Sequence, residues 1–125
     1  MAQAIATAIK PVWIDLASTD STKSQEFYGK LFGWKIDASN PMKYGMVEAV
    51  QGQGIPGGVG QLGDKPYPKV TFYVSTSAIE RSLKQASELG GKVLMPRTEL
   101  PGGPVLGMFA DPEGNAIGLV EEADA

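Results

Sequence analysis

The chain has 125 residues, 42% of them hydrophobic and 20% charged, enough apolar material for one domain with a buried core. Eleven basic against 14 acidic residues leave a net charge of −3, which argues against a nucleic-acid surface. Cys and His are both missing, which excludes disulfides, thiolate nucleophiles, Ser-His-Asp and Cys-His catalysis, and sulfur or imidazole ligation of a transition metal. No stretch approaches the ~18 apolar residues of a bilayer span, and Met1 to Pro11 lacks the basic start of a secretory signal. A cytoplasmic protein that engages neither membrane nor nucleic acid is the expectation.

Val12, Ile14 and Leu16 alternate with Trp13 and Asp15, the period of a strand. Asp20 then suits the N-cap of a helix whose buried stripe is Phe27, Leu31 and Phe32, with Gly33 as its stop. Phe32 and Trp34 read as core. Trp34 to Ala38 reads as a strand, Asn40-Pro41 as a turn, Tyr44 to Val50 as a third strand, and Ile55 to Gly60 as a weak fourth inside a glycine-rich stretch. Gly52 to Gly57 matches G-x-G-x-x-G literally, but Pro56 and the glycines after it forbid the helix that a dinucleotide site requires.

The second half repeats the order. Val70, Phe72 and Val74 alternate as a strand, and Ser77 with Glu80 has the S-x-x-E spacing of a capping box. The helical stripe is Ile79, Leu83, Ala86 and Leu89, ended by Gly90-Gly91. Lys92 to Met95 reads as a strand stopped by Pro96, with Arg97 in the following loop. Val105 to Ala110 reads as another strand, Asp111 to Gly114 as a turn, and Asn115 to Glu121 as the last strand, with Glu121 to Asp124 as a solvated acidic tail. Two βαβββ modules result, at about 11–63 and 68–122.

The residues Asp20, Ser24, Phe27 and Tyr28 (D-x-x-x-S-x-x-F-Y), LFGW at 31–34, ELGGKV at 88–93 and FADPEGNAIGLVE at 109–121 carry a resemblance. In them, and in the doubled module, the chain resembles the vicinal-oxygen-chelate superfamily of glyoxalase I, extradiol dioxygenases and bleomycin-binding proteins, within it the small bacterial proteins related to lactoylglutathione lyase. The resemblance implies an α+β fold of two βαβββ modules in a curved, partly open mixed sheet. Its concave side would hold a small-molecule ligand, and in metal enzymes of the superfamily four protein ligands. Matched by motif, those four positions fall at Trp13, Lys69, Gly118 and near Gly57 to Val59, none of them able to hold a transition ion. No transition metal and no cofactor are therefore expected; a hard ion such as Mg²⁺ on carboxylates alone stays open, with no spacing that points to it.

Alternation turns Trp13 and Asp15, Lys69, Thr71 and Tyr73, and Ala116, Gly118 and Val120 toward the ligand side. Trp13 there either stacks on a planar ligand or fills space. Tyr73 and Thr71 offer hydroxyls or simply pack. Asp15 is a candidate proton-transfer base, its alternative a neutral pair with Lys69; Glu48, alternating with Tyr44 and Met46, is a second candidate, its alternative a solvated side chain. Lys69 would stabilise developing negative charge, Met46 and Gly118 would line the site, and Arg97 would reach an anionic ligand or remain solvated. Three functions stay open: a metal-independent lyase or isomerase, a protein that sequesters an antibiotic or toxic compound, and a structural module with its cavity filled. Open sheet edges make a homodimer the expected assembly.

Overall fold

The computed structural model describes residues 10–49, 53–63 and 68–121. Among them are eight strands and two helices in the order β1 (Pro11–Ser18), α1 (Ser21–Phe32), β2 (Ile36–Asp37), β3 (Gly45–Val47), β4 (Gly57–Gln61), β5 (Val70–Thr76), α2 (Ile79–Glu88), β6 (Lys92–Glu99), β7 (Val105–Ala110) and β8 (Ala116–Glu121). The class is α+β with mixed pairing, as expected. Each half reads strand, helix, strand, strand, strand. Contacts divide the chain into one unit of Trp13–Thr71 and a second that joins Phe72 onward to the stretch up to Val12.

In the first unit the strand order is β2-β3-β4-β1. β4 runs parallel to β1, setting Asp15 opposite Gly58 and Leu16 opposite Val59, while β3 runs antiparallel to both β2 and β4. Helix α1 begins as its sequence dictates. Asp20 accepts a hydrogen bond from the Lys23 amide at 3.1 Å, and Gly33 closes the helix at φ 72°, in the left-handed region.

Its apolar face is a correction. The stripe expected to be buried lies in solvent: Phe27, Leu31 and Phe32 are 57%, 59% and 56% exposed, and Ser21 is the only buried residue of the helix. Trp34 is half-buried and Phe32 is not core. The side of β4 turned to α1 is the physical reason, since Gly57, Val59 and Gln61 give the helix a single apolar side chain to pack on. Hydrogen bonds do the fastening instead. Gln25 Nε2 donates to the Val59 carbonyl at 2.8 Å and the Lys43 carbonyl at 3.1 Å. Gln61 accepts from the Ser21 amide at 3.0 Å and donates to the Thr19 carbonyl at 2.8 Å.

The second unit follows β5-β8-β7-β6, with β5 and β8 parallel and the rest antiparallel. Its core is conventional. Ile79 and Leu83 of α2 are buried with Leu119, and Val74, Val105 and Phe109 pack around them. Leu89, expected to extend that stripe, sits past the helix end and is exposed. The Ser77–Glu80 capping box does not form. The N-cap is Ala78, which offers no side-chain bond, and the Ile79 amide is instead directed at the Glu121 carboxylate, 3.4 Å away. Glu121 is therefore the end of a strand and not part of a solvated tail; Glu122 to Asp124 lie outside the described residues. β6 also runs on through Pro96 to Glu99, with register shifts on either side, and takes Arg97 out of the predicted loop. A proline is tolerated there because β6 is the last strand of the order and, among the described residues, has no neighbour on its outer edge to receive its missing donor.

Candidate functional site

The site is built on β1, β3 and β4 of the first unit, on the sheet face away from α1. A tight turn positions its central residue. The Asn40 side chain accepts from the Tyr44 amide at 2.9 Å and donates to the Tyr44 carbonyl at 2.7 Å, clamping that residue's backbone. Lys43, just before it, takes φ 57°, a left-handed conformation that brings the chain sharply round into β3. The Tyr44 ring then lies flat on β4. A Cβ built on Gly58 would fall 2.1 Å from the ring, and one on Gly60 2.5 Å. Those two glycines are what allow the ring to lie there.

The phenol of Tyr44 sits between two polar neighbours from β1. The Trp13 indole Nε1 donates to its oxygen at 2.9 Å, and the hydroxyl donates to Asp15 Oδ1 at 2.6 Å. The Trp13 and Tyr44 rings are nearly parallel, 6.5 Å apart. Period two on β1 explains the arrangement, since Trp13 and Asp15 share a face and bracket the hydroxyl. Burial pushes the Asp15 carboxyl above its usual range, an effect the Tyr44 hydrogen bond partly offsets. Among the described residues nothing bonds to Asp15 Oδ2. The pair thus presents a partly buried carboxylate with one oxygen anchored and one available to a ligand.

The other predicted residues are distributed as follows. Met46 pairs with Gly58 across β3 and β4 and is exposed. Glu48 lies one residue past the end of β3, also exposed. Lys69 is exposed and, among the described residues, forms no ion pair with Asp15, so the neutral structural pair is not made. Thr71 is buried. In the second unit, Tyr73 lies over Gly118, whose added Cβ would fall 2.4 Å from the ring. Arg97 is held by two carboxylates: Nε and Nη2 donate to Glu121 at 3.0 and 2.8 Å, and Nη1 to Glu99 at 2.9 Å. Those hydrogen bonds raise the guanidinium further above its usual range and hold the Glu121 carboxyl below its own.

Register corrects one correspondence between the halves. Asp15 pairs with Gly58 and Tyr73 with Gly118, so Trp13 answers to Thr71 and not to Lys69. The positions where the superfamily resemblance places metal ligands are therefore Trp13, Thr71, Gly58 and Gly118. These residues do not fit a metal centre. An indole and two glycines offer no donor, and a tyrosine ring lies over each glycine where a longer side chain would have to start. Among the described residues no group of three or more carboxylates could hold an ion.

Tyr44 is the member of this group that strand alternation does not single out as a site residue. Its signal was present: two glycines at period two on one strand, with an aromatic residue on a neighbouring strand, mark a ring laid against backbone.

A family model for the Glyoxalase-like domain matches residues 12–120. The chain belongs to the glyoxalase-like domain family. It is thereby a member of the vicinal-oxygen-chelate superfamily. It is 28% identical over 117 residues to the glyoxylase-named protein CFP32 of Mycobacterium bovis, a match covering 87% of this chain and 44% of the relative. It is 29% identical over 125 residues to the anthracycline biosynthesis protein DauV of a Streptomyces strain, with 87% and 46% covered. The chain thus spans less than half the length of these curated relatives. Among solved structures, a glyoxalase/bleomycin resistance protein/dioxygenase superfamily member from Vibrio splendidus superposes with a TM-score of 0.62 at 15% identity, covering 91% of this chain and 98% of the other. Methylmalonyl-CoA epimerase of Streptomyces coelicolor, in complex with 2-nitronate-propionyl-CoA, gives 0.63 at 15% identity, covering 93% and 96%. At these identities the two structures speak for the fold alone. Among the described residues no helix is long and apolar enough to cross a membrane.

Proposed function

We propose that the chain binds a small carbonyl compound against the Trp13–Tyr44–Asp15 group and moves a proton there without a transition metal, as a lyase or isomerase. The observation that carries this reading is Asp15 itself: a partly buried carboxylate whose Oδ1 is fixed by Tyr44 at 2.6 Å, whose Oδ2 is available and whose proton affinity is raised. A general base needs a fixed position and a basicity raised above that of a solvated carboxylate. Asp15 Oδ2 takes the proton from the carbon beside the carbonyl; the C–H electron pair moves into the new C=C bond and the carbonyl π pair onto oxygen. Exposed Lys69, in the same unit, supplies positive charge toward the enolate oxygen. Returning the proton to a neighbouring atom completes an isomerisation.

A second reading, a protein that holds an aromatic compound without changing it, draws on the nearly parallel Trp13 and Tyr44 rings. One experiment separates the two. The Trp34→Phe variant leaves Trp13 as the only indole in the chain, so its fluorescence reports binding of α-hydroxycarbonyl and planar aromatic probes. NMR in D2O follows exchange of the carbonyl-adjacent proton. The reading requires exchange that falls at least ~100-fold in Asp15→Asn while fluorescence-detected binding persists. Binding of an aromatic probe with no exchange of any carbonyl probe overturns it in favour of sequestration.

A further inference from the structure

Trp13, Tyr44 and Asp15 stand in line, and their hydrogen bonds run in one direction. The indole Nε1 can only donate, and it does so to the Tyr44 oxygen at 2.9 Å. An ionised carboxylate can only accept, and Asp15 Oδ1 takes the Tyr44 proton at 2.6 Å. A phenol in water turns its one proton either way; here the indole holds one side of the oxygen and leaves the proton to Asp15. The ring that carries it is held in line as well. Asn40 clamps the Tyr44 backbone, Gly58 and Gly60 seat the ring, and the Trp13 ring lies nearly parallel to it.

We infer that Trp13 is a positioning residue: acting through Tyr44, its indole N–H confines the proton of neutral Asp15 to Oδ2, the oxygen available to a ligand. The inference rests on the proton-transfer reading for its catalytic meaning. A proton on Oδ1 would have to displace the Tyr44 proton. That proton would then turn toward the indole N–H, donor against donor, and one hydrogen bond of a partly buried group would go unmade. A proton on Oδ2 breaks nothing, since Oδ1 becomes the carbonyl oxygen of the acid and still accepts from Tyr44. The proton taken from carbon therefore stays beside the ligand, and the same oxygen gives it back. Without the indole N–H the phenol can turn, Oδ1 can take the proton and donate it to Tyr44, and Oδ2 then has no proton to return. Burial gives this choice weight, because it populates neutral Asp15 more than solvent would.

The test changes a single atom. In the Trp34→Phe chain, whose only indole is Trp13, biosynthetic incorporation of benzothienylalanine puts sulfur in place of the N–H and keeps the shape of the ring. Circular dichroism confirms the fold. Relative to the indole protein, kcat for exchange of the carbonyl-adjacent proton falls roughly 5- to 10-fold while KM changes less than about twofold. The Asp15 carboxyl, followed by NMR of its carboxyl carbon, titrates at higher pH because Tyr44 has become a poorer donor. Tyr44→Phe moves that titration further in the same direction. In the indole protein the Trp13 Nε1–H resonance moves with pH in step with Asp15; most of the movement is lost in Tyr44→Phe and all of it in Asp15→Asn. An unchanged kcat, beside exchange that Asp15→Asn abolishes, overturns the inference and leaves the proton-transfer reading standing. An indole resonance that ignores Asp15, or follows it equally well without Tyr44, also overturns it. If no carbonyl probe exchanges, the proton-transfer reading falls, and the titrations of the ligand-free protein still decide whether the indole governs Asp15.

Discussion

Helix α2 is attached through Ile79 and Leu83, buried among Val74, Val105, Phe109 and Leu119. Helix α1 is attached through Gln25 and Gln61, which bond to backbone on both sides of it, and turns its rings outward. The same module order has thus been completed in two ways, one by apolar burial and one by directed hydrogen bonds. The difference follows from the strands beneath. β8 and β7 supply Leu119, Val105 and Phe109 to the helix side, whereas glycine-rich β4 supplies Val59. The alternate positions of the same strand, Gly58 and Gly60, seat Tyr44 on the opposite face. The two faces of one short strand therefore serve separately, one leaving the helix open and the other building the site.

The contrast can be broken most forcefully in the core. Leu83→Ala is expected to cost about 3 kcal/mol in urea unfolding, whereas Leu31→Ala changes stability by less than about 0.5 kcal/mol. Equal losses would mean that α1 is buried after all. Next in size, Gly58→Ala forces the Tyr44 ring off its seat and costs about 2 kcal/mol, most of which is recovered when Tyr44→Ala is combined with it. The Gly118→Ala and Tyr73→Ala pair should behave alike in the second module.

Smaller effects concern charge. Glu121→Gln removes the partner of Arg97 and weakens the α2 cap, lowering the thermal midpoint by a few degrees at neutral pH. Because the folded-state pKa of Glu121 lies below its unfolded value, this contribution is full above the unfolded pKa and disappears as pH falls through the folded one. The wild-type and variant midpoints should converge in acid. Asp15→Asn has the opposite sign. A raised folded-state pKa means that ionised Asp15 destabilises the fold at neutral pH, so the variant is slightly more stable there, and the gap closes as the pH drops through the raised value. Thermal melts across pH check both.

Much of the fold could be read directly from the residues. Strand alternation, the Asp20 cap, the Gly33 stop and the Asp111 to Gly114 turn all depend on neighbours within a few positions, and local chemistry settles them. Depth was less legible. The i, i+4 spacing of Phe27 and Leu31 shows that they share a face, but whether that face meets a strand or water depends on β4, nearly 30 residues away in sequence. The same holds for the α2 cap. Ser77 and Glu80 have suitable spacing, yet the helix start is set by Thr76 and by a carboxylate from β8. In the site, Trp13 and Asp15 followed from period two on one strand. Tyr44 needed the register between β3 and β4, which sequence spacing does not contain.

The bond from the Ile79 amide to Glu121 spans 42 positions, and Leu119, beside it on β8, supplies the apolar half of the same contact. While β8 is still inside the ribosome, α2 can coil but lacks the Glu121 acceptor for its leading amide and the Leu119 part of the surface that covers its leucine. Synthesis therefore delivers the second module as an unfinished piece that one late segment locks at two points at once. A chain cut short before Asn115 would keep α2 without its Glu121 acceptor and with part of its apolar face uncovered.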